Sequence, residues 1–136
     1  MQYMVLIYID EKKLDALPAG TFDEMMRGCL VKADDLKTKG KLLDSQQLEP
    51  PSTARTIRRQ GGRLTATDGP FAEAKEVLGG FNLIEAANMD EAIEIASSFP
   101  WSDVGSIEVR PVRSIDSVRA RVFASSGGAQ KVASAR

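Results

Sequence analysis

From Gln2 to Ile9 apolar side chains occupy nearly every position. Tyr3, Val5, Ile7 and Ile9 fall on one side, and Met4, Leu6 and Tyr8 on the other. That two-residue period is a strand's, and with both sides apolar the strand calls for cover on both faces. Asp10 to Gly20 is polar and broken by Pro18 and Gly20, which reads as a loop. From Thr21 the period lengthens. Phe22, Met25, Met26, Cys29, Leu30, Ala33 and Leu36 recur at helical spacing and form one stripe. Thr21 and Glu24 stand at capping-box distance, and Gly40 supplies the stop. The two methionines at this spacing are core filling.

Lys41 to Leu48 reads as a second, short strand ended by Glu49-Pro50-Pro51. Ala54 to Gln60 and Arg63 to Thr67 flank Gly61-Gly62, a two-residue hairpin signal. Val77 to Ala86 is the next strand, and Gly79-Gly80 within it marks a bulge or a close backbone approach. Asn88 caps a second helix with Glu91 at the box position; Met89, Ala92, Ile93 and Ala96 face inward and Pro100 confines it. Gly105 to Val112 closes the set, with Ile107 and Val109 on one face and Glu108 and Arg110 on the other. This order is the α+β, ferredoxin-like βαββαβ pattern with an inserted β-hairpin: an antiparallel sheet with two helices on one face. Residues 1–112 form the domain. Residues 113–136 form an extension, with a short helix over about 114–124 and a mobile tail from Ser125 onward.

Two helices leave the other sheet face bare. Met4, Leu6, Tyr8 and Ile84 are expected there beside polar Asn82, Glu108 and Arg110. A patch of that kind marks an interface or a groove. A second copy packed face to face would hide it, giving a homodimer with incompletely closed clefts lined by Tyr8 and Arg110. A monomer whose tail folds back over the sheet is the alternative.

Composition narrows the chemistry. With 136 residues and 43% hydrophobic content the chain fits one domain with a real core. A net charge of −1 offers no field for nucleic acid or a membrane surface. The absence of a long apolar run and of a leader pattern sets a cytoplasmic location as the default. The single cysteine, Cys29, reads as a small buried hydrophobe. With no histidine and one cysteine, zinc sites and histidine-dependent triads are excluded. No phosphate-binding glycine pattern with a helix behind it is present, so no cofactor is expected.

One stretch stands apart. Asp68-Gly69-Pro70-Phe71-Ala72-Glu73-Ala74-Lys75-Glu76 runs into Val77-Leu78-Gly79-Gly80-Phe81, concentrating carboxylates, a lysine, glycines and a proline between two strands. It resembles the signature of the DGPF proteins, a branch of the YCII-related family, and the likeness extends from Tyr3-Met4-Val5-Leu6-Ile7-Tyr8 to Ile107-Glu108-Val109-Arg110-Pro111-Val112. The resemblance implies a ferredoxin-like domain that dimerises through its sheet as a dimeric α/β barrel. It implies little chemistry, since most DGPF proteins have no assigned reaction. Some are similar to proteins encoded beside extracytoplasmic-function sigma factors, which leaves a sigma factor open as a partner. Other YCII-related proteins carry a His-Asp pair proposed to be catalytic, and a chain without histidine cannot supply it.

Asp68 is the candidate catalytic base, on the strength of the resemblance; its structural reading is a carboxylate bonded to its own turn. Glu73 and Glu76 are further candidate acid-base groups and Lys75 a candidate anion holder; their structural reading is a solvated, partly ion-paired loop. Phe71 reads as a core plug that anchors the loop, or as the aromatic wall of a pocket. Arg110, an arginine projecting from a sheet face, needs a carboxylate, a phosphate or a ligand, and Glu108 is placed to partner it. Arg63 is another candidate anion holder, Tyr8 lines the cleft, and Asp44 and Ser45 at the end of the second strand are candidates for its rim. Two classes of function follow. One is a cofactor-independent enzyme for proton transfer or elimination on a small polar organic molecule at a dimer cleft, with Asp68 as base and Arg110 as anchor. The other is a non-catalytic small-molecule-binding or regulatory module. A deeply buried Asp68 facing a cavity favours the enzyme, and an exposed one capping its own turn favours the module.

Overall fold

The computed structural model describes residues 1–126. In chain order the elements are β1 (Gln2–Asp10), α1 (Glu11–Asp15), α2 (Thr21–Thr38), β2 (Leu42–Gln47), β3 (Arg55–Gln60), β4 (Arg63–Asp68), β5 (Glu76–Glu85), α3 (Met89–Ser97), β6 (Gly105–Pro111) and α4 (Ile115–Ser126). Short 3-10 turns occupy Pro51–Thr53 and Pro100–Asp103. The four-stranded sheet has the order β2-β5-β1-β6, antiparallel throughout, while β3 and β4 form a separate two-stranded sheet. With the hairpin set aside, that is the ferredoxin-like βαββαβ order, so the expected fold stands.

Directly paired residues on neighbouring strands share a face, and the register therefore sorts the sheet. Tyr3 lies opposite Ile84, Val5 opposite Asn82 and Val109, and Ile7 opposite Gly80 and Ile107. This face is the buried one. Tyr3, Val5 and Ile84 sit in a core with Leu36 of α2, Ala92, Ile95 and Ala96 of α3, and Phe99, Trp101 and Val104. Met4 opposite Leu83, and Leu6 opposite Phe81, lie on the other face, half-buried and outside the core cluster.

Several expectations change. Ile84 and Asn82 belong to the helix-covered face, and Phe81 and Leu83 replace them on the open one. Thr21 does not cap α2. The chain enters through Gly20 at φ 84°, Thr21 is already helical, and the N-cap position supplies no side-chain hydrogen bond to the first turn. Asn88 does cap α3, accepting from the Glu91 amide at 2.9 Å, while the Glu91 carboxylate accepts from the Ala87 amide at 2.8 Å. Leu30 and Ile93 are exposed, at 56% and 48%, and Ile95 takes the inward position expected of Ile93. The segment expected as a loop holds α1, whose first amides at Lys12 and Lys13 are accepted by the buried Asp10 carboxylate. Ser125 and Ser126, expected in the mobile tail, end α4; the rest of that tail lies outside the described residues.

The glycine pair in β5 behaves as expected. A register shift falls between Ile7 and Tyr8 where they meet Gly80 and Leu78. A Cβ on Gly80 would stand 2.8 Å from the Gln46 carbonyl oxygen. Gly105 is tighter still: a Cβ there would lie 1.8 Å from the Tyr8 carbonyl oxygen, so β6 can approach β1 only without a side chain at this point.

Candidate functional site

The expected site residues separate into three places. On the open sheet face, Tyr8, Glu108 and Arg110 come together as anticipated. The Tyr8 hydroxyl donates to Glu108 Oε1 at 3.4 Å, and Arg110 Nε donates to Glu108 Oε2 at 3.0 Å, with a second, short contact from the same guanidinium. Glu108 pushes the Arg110 pKa still higher, first by hydrogen bonding and then by charge. The guanidinium therefore already has its carboxylate.

The Asp68 stretch is carried on the hairpin, away from the core. Asp68 ends β4 with its side chain 93% exposed, and it pairs with Arg55 Nε at 3.4 Å rather than with its own turn. Gly69 takes φ 94°, its amide donates to the Ala54 carbonyl at 2.7 Å, and its own carbonyl accepts from the Thr56 hydroxyl at 2.8 Å. The Phe71 carbonyl accepts from Arg58. The segment is thus laced to β3, and it leaves Phe71 75% exposed, not plugged into the core. Glu73 is exposed. Lys75 Nζ lies 4.0 Å from the Asp10 carboxylate, which ties the segment back to the end of β1.

Ser45 leads to the third place, which the sequence did not disclose. A cavity of about 420 Å³ lies between α2 and the helix-covered face of the sheet, beside the chain that leaves β2. Its walls are Ile7, Ile9, Phe22, Met26, Ala33 and Trp101, with Cys29 on the helix side. Phe22 and Trp101 meet as tilted rings with centroids 6.1 Å apart. Burial pushes the Cys29 thiol up, partly offset by a hydrogen bond with Trp101, so the sulfur is a neutral wall at physiological pH. The polar lining within the sheet is Asn82 of β5 with Ser45 and the exposed Gln46 and Gln47 of β2; Ser45 and Asn82 are paired in register, and the Ser45 hydroxyl donates to Asn82 Oδ1 at 2.5 Å. Asn82 is 5% exposed. Glu11 and Glu49, both exposed, are the charged residues of the lining. A concave apolar site with a few placed polar groups is the usual form of a small-molecule site, and this volume lies toward the small end of the range. Among the described residues, no group of three or more histidine, cysteine or carboxylate side chains is placed to hold a metal ion.

A ferredoxin-like α+β domain with a cavity between its sheet and first long helix is the class defined by the fold and the site. The match to known proteins is more specific: the YCII-related domain covers residues 1–116, and the chain belongs to that family. An uncharacterised protein of Rhizobium meliloti (strain 1021) is 38% identical over 114 residues, spanning 82% of this chain and 92% of that protein. Among solved structures, the chain is similar to 5-chloro-2-hydroxyhydroquinone dehydrochlorinase of Burkholderia phenoliruptrix, determined in complex with 2,5-dihydroxybenzoquinone. That likeness has a TM-score of 0.42 at 14% identity, covering 83% of this chain and 94% of the other. Among the described residues, no helix is long and apolar enough to cross a membrane.

Proposed function

We propose that this YCII-related protein is a small-molecule-binding module whose ligand enters the cavity between α2 and the sheet. The observation that carries this reading is the pairing of apolar walls with the buried Asn82–Ser45 lining. A buried asparagine in a sheet core costs stability unless it is satisfied, and an apolar residue of similar shape would avoid that cost. Its presence at the wall of a cavity is what a binding site requires. We further propose a homodimer through the open face, where Met4, Leu6, Phe81 and Leu83 form an apolar band outside the core.

A cofactor-independent enzyme for proton transfer or elimination is the second reading. Within one chain Asp68 is exposed on the hairpin and Arg110 is engaged by Glu108, so a shared active site would need the two to meet across a dimer. The exposure of Asp68 speaks against a buried catalytic base, although its partner is Arg55 and not its own turn.

Trp101 is the chain's one tryptophan and it lines the cavity, so its fluorescence reports occupancy. Titration with small aromatic compounds should change that fluorescence, and Ala33→Leu, which fills the space from α2, should abolish the response while leaving the protein folded. An unchanged response in Ala33→Leu would place the binding elsewhere and end this reading.

A further inference from the structure

Asn82 has one end engaged and the other end free. Its Oδ1 accepts from Ser45, and Nδ2 has no hydrogen-bond partner among the described residues. No sealed side-chain nitrogen or oxygen lacks a partner among those residues. The residue is 95% buried, being 5% exposed, and it lines the cavity. The amide nitrogen therefore keeps its contact with the outside through that space. Ser45 fixes the side chain by holding the oxygen, which leaves two N–H donors for whatever occupies the cavity.

The charged side chains of the lining have one sign: Glu11 and Glu49 line the cavity, and among the described residues no lysine or arginine does. An anion drawn into the space would lose its hydration and find apolar walls, the buried Asn82 amide, the exposed Gln46 and Gln47 amides and two carboxylates. That is a costly transfer without a countercharge. A neutral molecule with an apolar body and one carbonyl or ether-type acceptor loses little water and gains a hydrogen bond.

We infer that the cavity selects uncharged, largely apolar molecules carrying a hydrogen-bond acceptor, that Asn82 Nδ2 is the donor that reads the acceptor, and that Ser45 is its positioning residue. This inference rests on the cavity being the binding site, and it replaces the expected preference for a polar, anion-anchored substrate.

Three aromatic probes test it: methyl benzoate, benzoate and toluene, titrated against Trp101 fluorescence and the thermal midpoint at pH 7. Methyl benzoate should bind at least about thirtyfold more tightly than benzoate, because only the anion sheds a full hydration shell. Asn82→Val should weaken methyl benzoate by about five- to tenfold, the size of one lost hydrogen bond, and leave toluene within about twofold. Ser45→Ala should produce a smaller loss, about threefold, on methyl benzoate alone. Asn82→Val should also melt at or above the wild-type temperature, since a valine suits a buried strand position. Benzoate binding as tightly as its ester would overturn the inference, as would equal weakening of toluene and ester in Asn82→Val. A clearly lower midpoint for Asn82→Val would show the asparagine to be structural and would overturn it as well. Those three outcomes leave the cavity standing as a site. Failure of all three probes to bind would remove both the selectivity and the cavity reading.

Discussion

Asp68→Asn and Gly69→Ala should behave in opposite ways, and the contrast can be worked from the geometry of the hairpin. The Asp68–Arg55 pair is 3.4 Å long with side chains 93% and 66% exposed. Exposed pairs contribute about 0–1 kcal/mol, and at these exposures the low end applies, so Asp68→Asn should cost no more than about 0.3 kcal/mol. Gly69 is different. Among the described residues nothing lies within 4 Å of where its Cβ would stand, so a methyl group meets no steric obstacle there, but φ 94° is backbone that an L-residue resists. Left-handed backbone costs about 1–2 kcal/mol for a residue with a Cβ. Because β3 and β4 form a sheet of their own, that cost should fall on opening of the hairpin and not on global unfolding. Native-state hydrogen exchange read by NMR resolves the two. In Gly69→Ala the β3 and β4 amides should exchange about 5- to 30-fold faster, while the β1 amides and the urea midpoint stay put. In Asp68→Asn neither should move. If Asp68→Asn opened the hairpin as far as Gly69→Ala does, the ion pair would be holding the segment, and the case for its being dispensable to the fold would collapse.

Three further outcomes are expected. Leu6→Glu should convert the proposed dimer to monomers in sedimentation equilibrium; a wild-type protein already at monomer mass at micromolar concentration would remove the dimer. Asn88→Ala should lower stability by about 1 kcal/mol, the size of a lost N-cap, whereas Thr21→Ala should cost less than about 0.3 kcal/mol, and equal losses in urea melts would restore the Thr21 box. The Glu91 carboxylate is held below its usual pKa, first by the Ala87 amide and then by Lys41 at 3.0 Å. A depressed folded pKa gives stability that is present above the unfolded value, near 4.3, and is lost as pH falls through the folded one. Glu91→Gln should accordingly flatten the acid limb of the stability–pH curve below about pH 4.5 and leave its slope above about pH 6 unchanged. An acid limb as steep as the wild type's would assign that loss to other carboxylates.

The fold was legible where one face was clearly apolar and the period uninterrupted. Tyr3, Val5, Ile7 and Ile9 marked the inner face of β1, the stripe from Phe22 to Leu36 marked α2, and Asn88 marked its helix start. The phase of β5 was harder. Both its faces are apolar and the Gly79-Gly80 irregularity breaks the alternation, so the polar side chain of Asn82 suggested the wrong face. Glu85 carried the missing signal: a charge that must face outward puts Ile84 inward, and Asn82 two residues earlier with it. Thr21 failed as a cap because Gly20 already turns the chain into the helix. The open-face cluster was legible from residue type, since an arginine two positions from a glutamate on one strand has a partner in reach. The cavity was not. Its walls come from α2, β1, β2, β5 and the Trp101 turn, and no local pattern states that their packing leaves a space.

The inserted hairpin also bears on how quickly the chain can find its fold. Pairing Gln47 with Gly80 brings together the two ends of a long excursion, and closing such a loop costs entropy that grows with its length. A hairpin can zip within about 1–10 μs, well before distant strands meet. Once Arg55 stands opposite Asp68, the residues between them no longer count toward the loop, and only the two short flanks remain to be closed. The insertion that looks like an interruption of the βαββαβ chain is, on the folding timescale, a shortcut between β2 and β5.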